Sequence, residues 1–236
     1  MFRPPSRECA QFGINHLDAG PAAAAAVSLV PQRLGGHTRH VFRTGKTTLD
    51  VSLGVMKSLR GHLLVAGPDL LDPNFRRTVV LVGDHGEEGA MGVVLNRPSP
   101  VLVGDAVPPL AELVDEDELV HVGGPVQPQA VVVLGDFVDA GQAAALVFGS
   151  IGFLPGEIES ADDVPGLARA RVFAGYAGWD AGQLETELAE ESWIVEPALP
   201  EDVFTSDPDR LWSAVLRRKG GAFAVLATMP PDPSFN

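Results

Sequence analysis

Between residues 171 and 193 the chain reads RVFAGYAGWDAGQLETELAEESW, and no other stretch limits its possible folds as much. A β-prone run over 171–174 meets three small turn-formers, Gly175, Ala177 and Gly178, followed by a helix start. The spacing predicts Asp180 as the helix cap, with Gln183 three positions later answering it in a capping box. Trp179 then precedes the cap and Leu184 occupies the fourth helical position, the pair that forms a hydrophobic staple. A strand exit, a tight turn and a helix entry are thus expected within one short segment.

Apolar runs of strand length recur at His62–Ala66, 78–83, 90–95, Leu119–Val122, 130–134, 171–174, 192–195 and 223–228. The run Thr78-Val79-Val80-Leu81-Val82 does not alternate, which predicts a strand covered on both faces. Residues 84–89, DHGEEG, read as a polar hairpin connection. Helices are fewer. One is expected after Asp180, carrying Leu184 and Leu188 on one face. Another opens at Asp207-Pro208-Asp209, with Leu211, Trp212, Val215 and Leu216 as its apolar stripe and Gly220 as its stop. A shorter one lies near 103–114, interrupted by Pro108-Pro109. Strands outnumber helices without alternating with them, so the expected class is α+β.

The wording G-Y-A-G-W-x-x-G-Q-L-E-x-E over 175–187 closely resembles the signature of the YqgE/AlgH family. GHLLVAGPDLLDPNFRR (61–77), GAMGVVLNRP (89–98) and Gly123-Gly124-Pro125-Val126 are similar to its earlier blocks, and 211–236 to its closing helix and strand. The resemblance covers roughly 56–236. It implies a single domain there, with a mixed, bifurcated β-sheet curled toward a barrel and flanked by a few helices. It also implies a bacterial protein described as a transcriptional regulator, and it supplies no catalytic residue set.

Charge divides the chain near the same boundary. Residues 1–55 hold six Lys/Arg and three Asp/Glu, a net of +3, whereas 56–236 hold eleven against twenty-eight, a net of −17. So negative a domain, with no helix-turn-helix pattern and no basic stripe, argues against gripping DNA directly. Its longest basic cluster, Arg217-Arg218-Lys219, falls at an expected helix C-terminus, where cations complement the dipole. Cys9 is the single cysteine, which suits a reducing compartment. The apolar stretch at 21–30 is too short to span a bilayer and lacks a signal-peptide start, so a cytoplasmic location without membrane contact is expected. Residues 1–55 show no sustained period. They read as a disordered extension or as translation from a misassigned start codon, the second being preferred. Within them HVFRTGKT at 40–47 resembles a phosphate-binding loop but places His40 where the loop requires Gly.

Candidate site residues lie at strand ends. Arg76 and Arg77 are the best carboxylate- or phosphate-binding candidates, and Arg97, which with Asn96 closes the next strand, converges with Arg76 if the hairpin pairs as expected; turn chemistry and surface ion pairs are the preferred account of all of them. Gly123 and Gly124 can form an anion nest or a tight turn. Tyr176, Trp179 and Gln183 can line a cleft or simply build the turn, Tyr176 being the least explained structurally. No metal spacing links His62, His85 and His121, no G-x-S-x-G occurs, and residues 115–118 (DEDE) read as a solvated loop. The acids Glu185, Glu187, Glu190 and Glu191 crowd one helix and call for solvent, a basic neighbour or a basic partner. The expectation is a non-catalytic binding or regulatory protein that needs no cofactor or metal and acts through a protein partner. The alternative is a small-ligand binder or enzyme with a cleft near Arg76, Arg77 and Asn96.

Overall fold

The computed structural model describes residues 58–156, 158 and 160–230; the expected extension over 1–55 lies outside them. Ten strands follow in chain order: β1 (His62–Ala66), β2 (Val79–Gly86), β3 (Gly89–Val94), β4 (Pro98–Leu102), β5 (Leu119–Val122), β6 (Val126–Phe137), β7 (Ala145–Phe148), β8 (Ile151–Phe153), β9 (Leu167–Asp180) and β10 (Trp193–Pro197). The α-helices are α1 (Val103–Ala106), α2 (Gln183–Ala189), α3 (Pro200–Val203), α4 (Pro208–Lys219) and α5 (Ala222–Leu226). The expected interrupted helix is α1 followed by a 3-10 turn at Pro108–Leu113.

The main path of the sheet runs β10-β1-β2-β3-β9-β6-β8-β7, and β5 with its partner β4 branches from β9. Every pairing is antiparallel except β5 with β9. The bifurcation arises because β9 is long enough to serve three neighbours, β5 at Phe173 and Ala174, β3 over residues 177–180, and β6 along most of its length. The sheet curls without closing into a hydrogen-bonded barrel. At the seam, a side chain at Gly61 would collide with Phe148, and one at Gly83 with the ring of Phe153.

The unbroken apolar run of β2 is buried on both faces. Val79 and Leu81 join the core under α4, with Trp212, Val215 and Leu216, while Val80 and Val82 pack with Trp179, Leu184 and Trp193 on the α2 side. Each such side chain contributes on the order of 2 kcal/mol through burial. A third core lies under the branch, where Val120, Val133 and Val172 meet Leu110 and Leu154. Helix α4 follows its expected sequence signals: Asp207 at the cap, Pro208 first, Asp209 in the first turn and Gly220 at the end with φ 79°. Its basic last turn also blunts the β10 edge, since Lys219 Nζ donates to the Val195 carbonyl at 2.8 Å and Arg218 to that of Pro197 at 3.3 Å.

Three expectations are corrected. Residues 223–228 form no strand. Gly220 and Gly221 both adopt positive φ, which redirects the chain into α5, whose Phe223 and Leu226 (one helical turn apart) pack on the core while Val225 faces out. The expected turn at Gly175-Ala177-Gly178 is instead the continuation of β9, because β3 supplies hydrogen-bonding partners there. Gly175, at φ 70°, is where β9 changes from one set of neighbours to the next. The cap of α2 is Gly182 rather than Asp180, and only the returning half of the box exists, with Gln183 Oε1 accepting the Asp180 N–H at 3.1 Å. The strands β4, β7 and β8 escape sequence reading because they are short, β4 and β8 being also interrupted by Pro or Gly.

Candidate functional site

Arg76, Arg77, Asn96 and Arg97 do come together, because β2 and β3 pair and their outer ends meet. Asn96 lies between the two chain segments. Its Oδ1 accepts the Val79 N–H at 2.8 Å and its Nδ2 donates to the Arg77 carbonyl at 2.9 Å, so the side chain substitutes for a strand neighbour. Arg77 has φ 55°, an uncommon conformation for a side-chain-bearing residue. Its guanidinium lies 4.1 Å above the Trp212 ring and donates to the Met229 and Pro230 carbonyls at 3.0 Å each. Burial, and secondarily the charge of Arg76, lower its pKa. Arg97 donates to the Arg76 carbonyl at 3.2 Å; burial lowers its pKa against the opposing effect of Asp72. Arg76 is exposed.

Gly123 and Gly124 adjoin this group through the Val122 N–H, which donates to the Arg97 carbonyl. The Gly123 N–H donates to Ala174 and its carbonyl accepts from Val94, both at 2.8 Å. Gly124 (φ 154°) lies so close to β9 that a Cβ would collide with the Tyr176 carbonyl. Two glycines are needed here for backbone-to-backbone approach, and the Gly123 N–H faces a strand rather than an anion.

Trp179 and Gln183 belong to a separate constellation under α2. The Trp179 and Trp193 rings meet edge to face at 6.0 Å, with Phe75 5.6 Å from Trp193. Both indole N–H groups donate to one oxygen, Glu187 Oε2, at 2.9 and 2.8 Å, and Gln183 Nε2 donates to Glu187 Oε1 at 2.9 Å. Of the crowded acids, Glu187 is therefore held by neutral donors, a partner type the charge-based expectation omits. Glu190 and Glu191 are exposed. Tyr176 packs against the main core and is not part of this network.

A cleft of about 350 Å³ opens elsewhere, between the acidic loop before β5 and the start of β9; Leu113, Val114 and Phe204 contribute to its wall. Arg171 is buried at its base. Its Nε donates to Glu118 Oε1 at 2.9 Å and its Nη1 to the carbonyls of Val203 and Thr205 at 2.8 and 3.1 Å. Arg169 pairs with Asp136 at 3.1 Å and covers the Phe204 ring at 4.2 Å. The loop expected to be solvated is so at Asp115, Glu116 and Asp117, but Glu118 turns inward to Arg171. On the adjoining strand, His121 is 3 % exposed. Its Nδ1 lies 3.1 Å from the Leu119 carbonyl, which makes Nδ1 the protonated nitrogen, and its buried Nε2 has no partner among the described residues. Burial, then the charge of Arg171, lower its pKa to about 4 against the opposing Leu119 hydrogen bond. Sequence reading passes over Arg171 as part of an apolar run; the signal available was a guanidinium opening a strand that must be buried. No group of His, Cys, Asp and Glu suited to a metal occurs among the described residues.

Residues 63–224 match the family model described as DUF179, AlgH-like. The chain is 48% identical over 189 residues to a UPF0301 protein of Streptomyces coelicolor, covering 77% of this chain and 97% of that one. A UPF0301 protein of Thermobifida fusca is 45% identical, with 76% and 96% covered. Among solved structures, a Corynebacterium diphtheriae protein superposes with a TM-score of 0.66 at 30% identity, covering 72% of this chain and 91% of that one. The AlgH protein of Pseudomonas aeruginosa does so with a TM-score of 0.55 at 29% identity, covering 79% and 98%.

Proposed function

The chain belongs to the AlgH-like DUF179 family, and on that footing we propose that it is a non-catalytic binding and regulatory protein that acts through a protein partner. One observation carries the reading. In the cleft before β5, both arginines are paired within the fold, whereas the exposed rim carboxylates Glu112 and Asp115 make no ion pair among the described residues. Such a rim favours a basic protein surface and disfavours a phosphate backbone. The polar residues near Asn96 support the same reading, since they hold backbone segments together and leave no nucleophile and base in contact. No helix of the described residues is long and apolar enough to cross a membrane.

The test is affinity capture with the tagged full chain beside a Glu112→Gln/Asp115→Asn variant. A protein retained by the parent chain, lost from the variant, and rebinding in purified form with salt-sensitive affinity is the expected result. Stoichiometric co-purification of a small molecule, with no protein retained, overturns it in favour of a small-ligand binder.

A further inference from the structure

We propose that His85 is a pH-operated clasp that fastens the segment entering the domain to helix α2. His85 lies near the tip of the β2–β3 hairpin, paired with Ala90, and its side chain is 5% exposed. The Leu59 backbone N–H donates to its Nδ1 at 3.0 Å. A backbone amide can only donate, so Nδ1 must carry the lone pair and Nε2 the proton. The Nε2–H then meets Glu185 Oε1 of α2 at 2.7 Å. The tautomer is thus fixed by contacts from both sides. Ser58 adds a second tie, its hydroxyl donating to the His85 carbonyl at 3.0 Å. Leu59 itself packs against the cluster that contains Trp179 and Leu184.

Protonation of the ring acts on the two hydrogen bonds in opposite ways. The Glu185 contact becomes a charge-assisted pair and strengthens. The Leu59 contact becomes a donor facing a donor and fails. The charged groups on the elements around His85 are Asp84 on its own strand, Glu87 and Glu88 in the turn, Asp180 ending β9, Glu185 on α2 and Arg60 in the entering segment. β3 contributes no ionisable side chain. Imidazole is the side chain whose charge ordinarily changes between about pH 5 and 8. Protonation therefore keeps the hairpin fastened to α2 while it breaks the Leu59 tie.

Residue-resolved amide exchange on the full chain, with ¹⁵N shifts of the His85 ring, tests this. While the ring is neutral, the shifts should report its proton on Nε2. On acidification, as the ring gains its proton, the protection factor of the Leu59 amide should fall about tenfold, the loss of one hydrogen bond. His85→Gln presents a carbonyl to Leu59 and an amide N–H to Glu185 without titrating, so protection in that variant should not change with pH. An unchanged Leu59 protection factor while the ring titrates overturns the proposal, as does a ring that stays neutral down to pH 5. Equal pH dependence in the parent and His85→Gln chains overturns it too.

Discussion

Glu187 shows how one side chain can hold a sheet end and a helix together. Its Oε2 receives two indole N–H groups and its Oε1 an amide. A glutamine there keeps one acceptor oxygen and turns the other position into a donor, which must oppose either the indoles or Gln183. Glu187→Gln should therefore destabilise by about 1–3 kcal/mol, while Glu190→Gln, at an exposed position, should stay within about 0.5 kcal/mol. Urea unfolding of the two variants side by side is the check, and equal midpoints would remove the role given to Glu187. His121 carries a prediction in pH. Its ring is held near pKa 4 in the fold, against 6.5 for the free side chain. The folded state thus resists the proton that the unfolded chain accepts. Stability from this source is complete above pH 6.5 and is lost as pH falls toward 4, by up to about 3 kcal/mol. His121→Phe should flatten the stability profile across that window, as measured by denaturant unfolding at a series of pH values.

At the scale of elements, the junction of β5, β6 and β9 depends on backbones that nearly touch. Gly124 is the point of closest approach, and a methyl group there meets the Tyr176 peptide while φ 154° already disfavours any side chain. Gly124→Ala should destabilise by more than about 2 kcal/mol. If thermal unfolding of this variant matches the parent, the branch does not depend on that contact. A glycine pair that only formed an anion nest on the surface would tolerate the change far better. The sequence placed these glycines after a strand and before another, which is correct; what they approach lies fifty residues further along the chain.

For the whole molecule, about a quarter of the chain lies outside its match to the Streptomyces relative, which is itself covered almost completely. The match to the family model begins at residue 63. Removing residues 1–55, so that the chain begins at Met56, should accordingly shift Tm by less than about 2 °C. A loss of several degrees in differential scanning calorimetry would show that the removed segment packs on the domain.

The sequence by itself determined the family, the α+β class and those elements whose signals are local. The unalternating run of β2 announced burial on both faces, and Asp207-Pro208 with Gly220 marked both ends of α4. These follow from hydrophobic periodicity and capping chemistry, which act over a few residues. Tertiary structure alone decided whether the residues after Ala174 would turn or continue, because an extended backbone needs a hydrogen-bonding neighbour and β3 is remote in sequence. It likewise decided the partners of the polar groups: Asn96 became a substitute strand neighbour, Glu187 an acceptor for two indoles, and Arg171 the buried base of a cleft. Charge and spacing identify residues that need a partner. Which partner they obtain depends on which distant segments the packing of the sheet brings within about 3 Å.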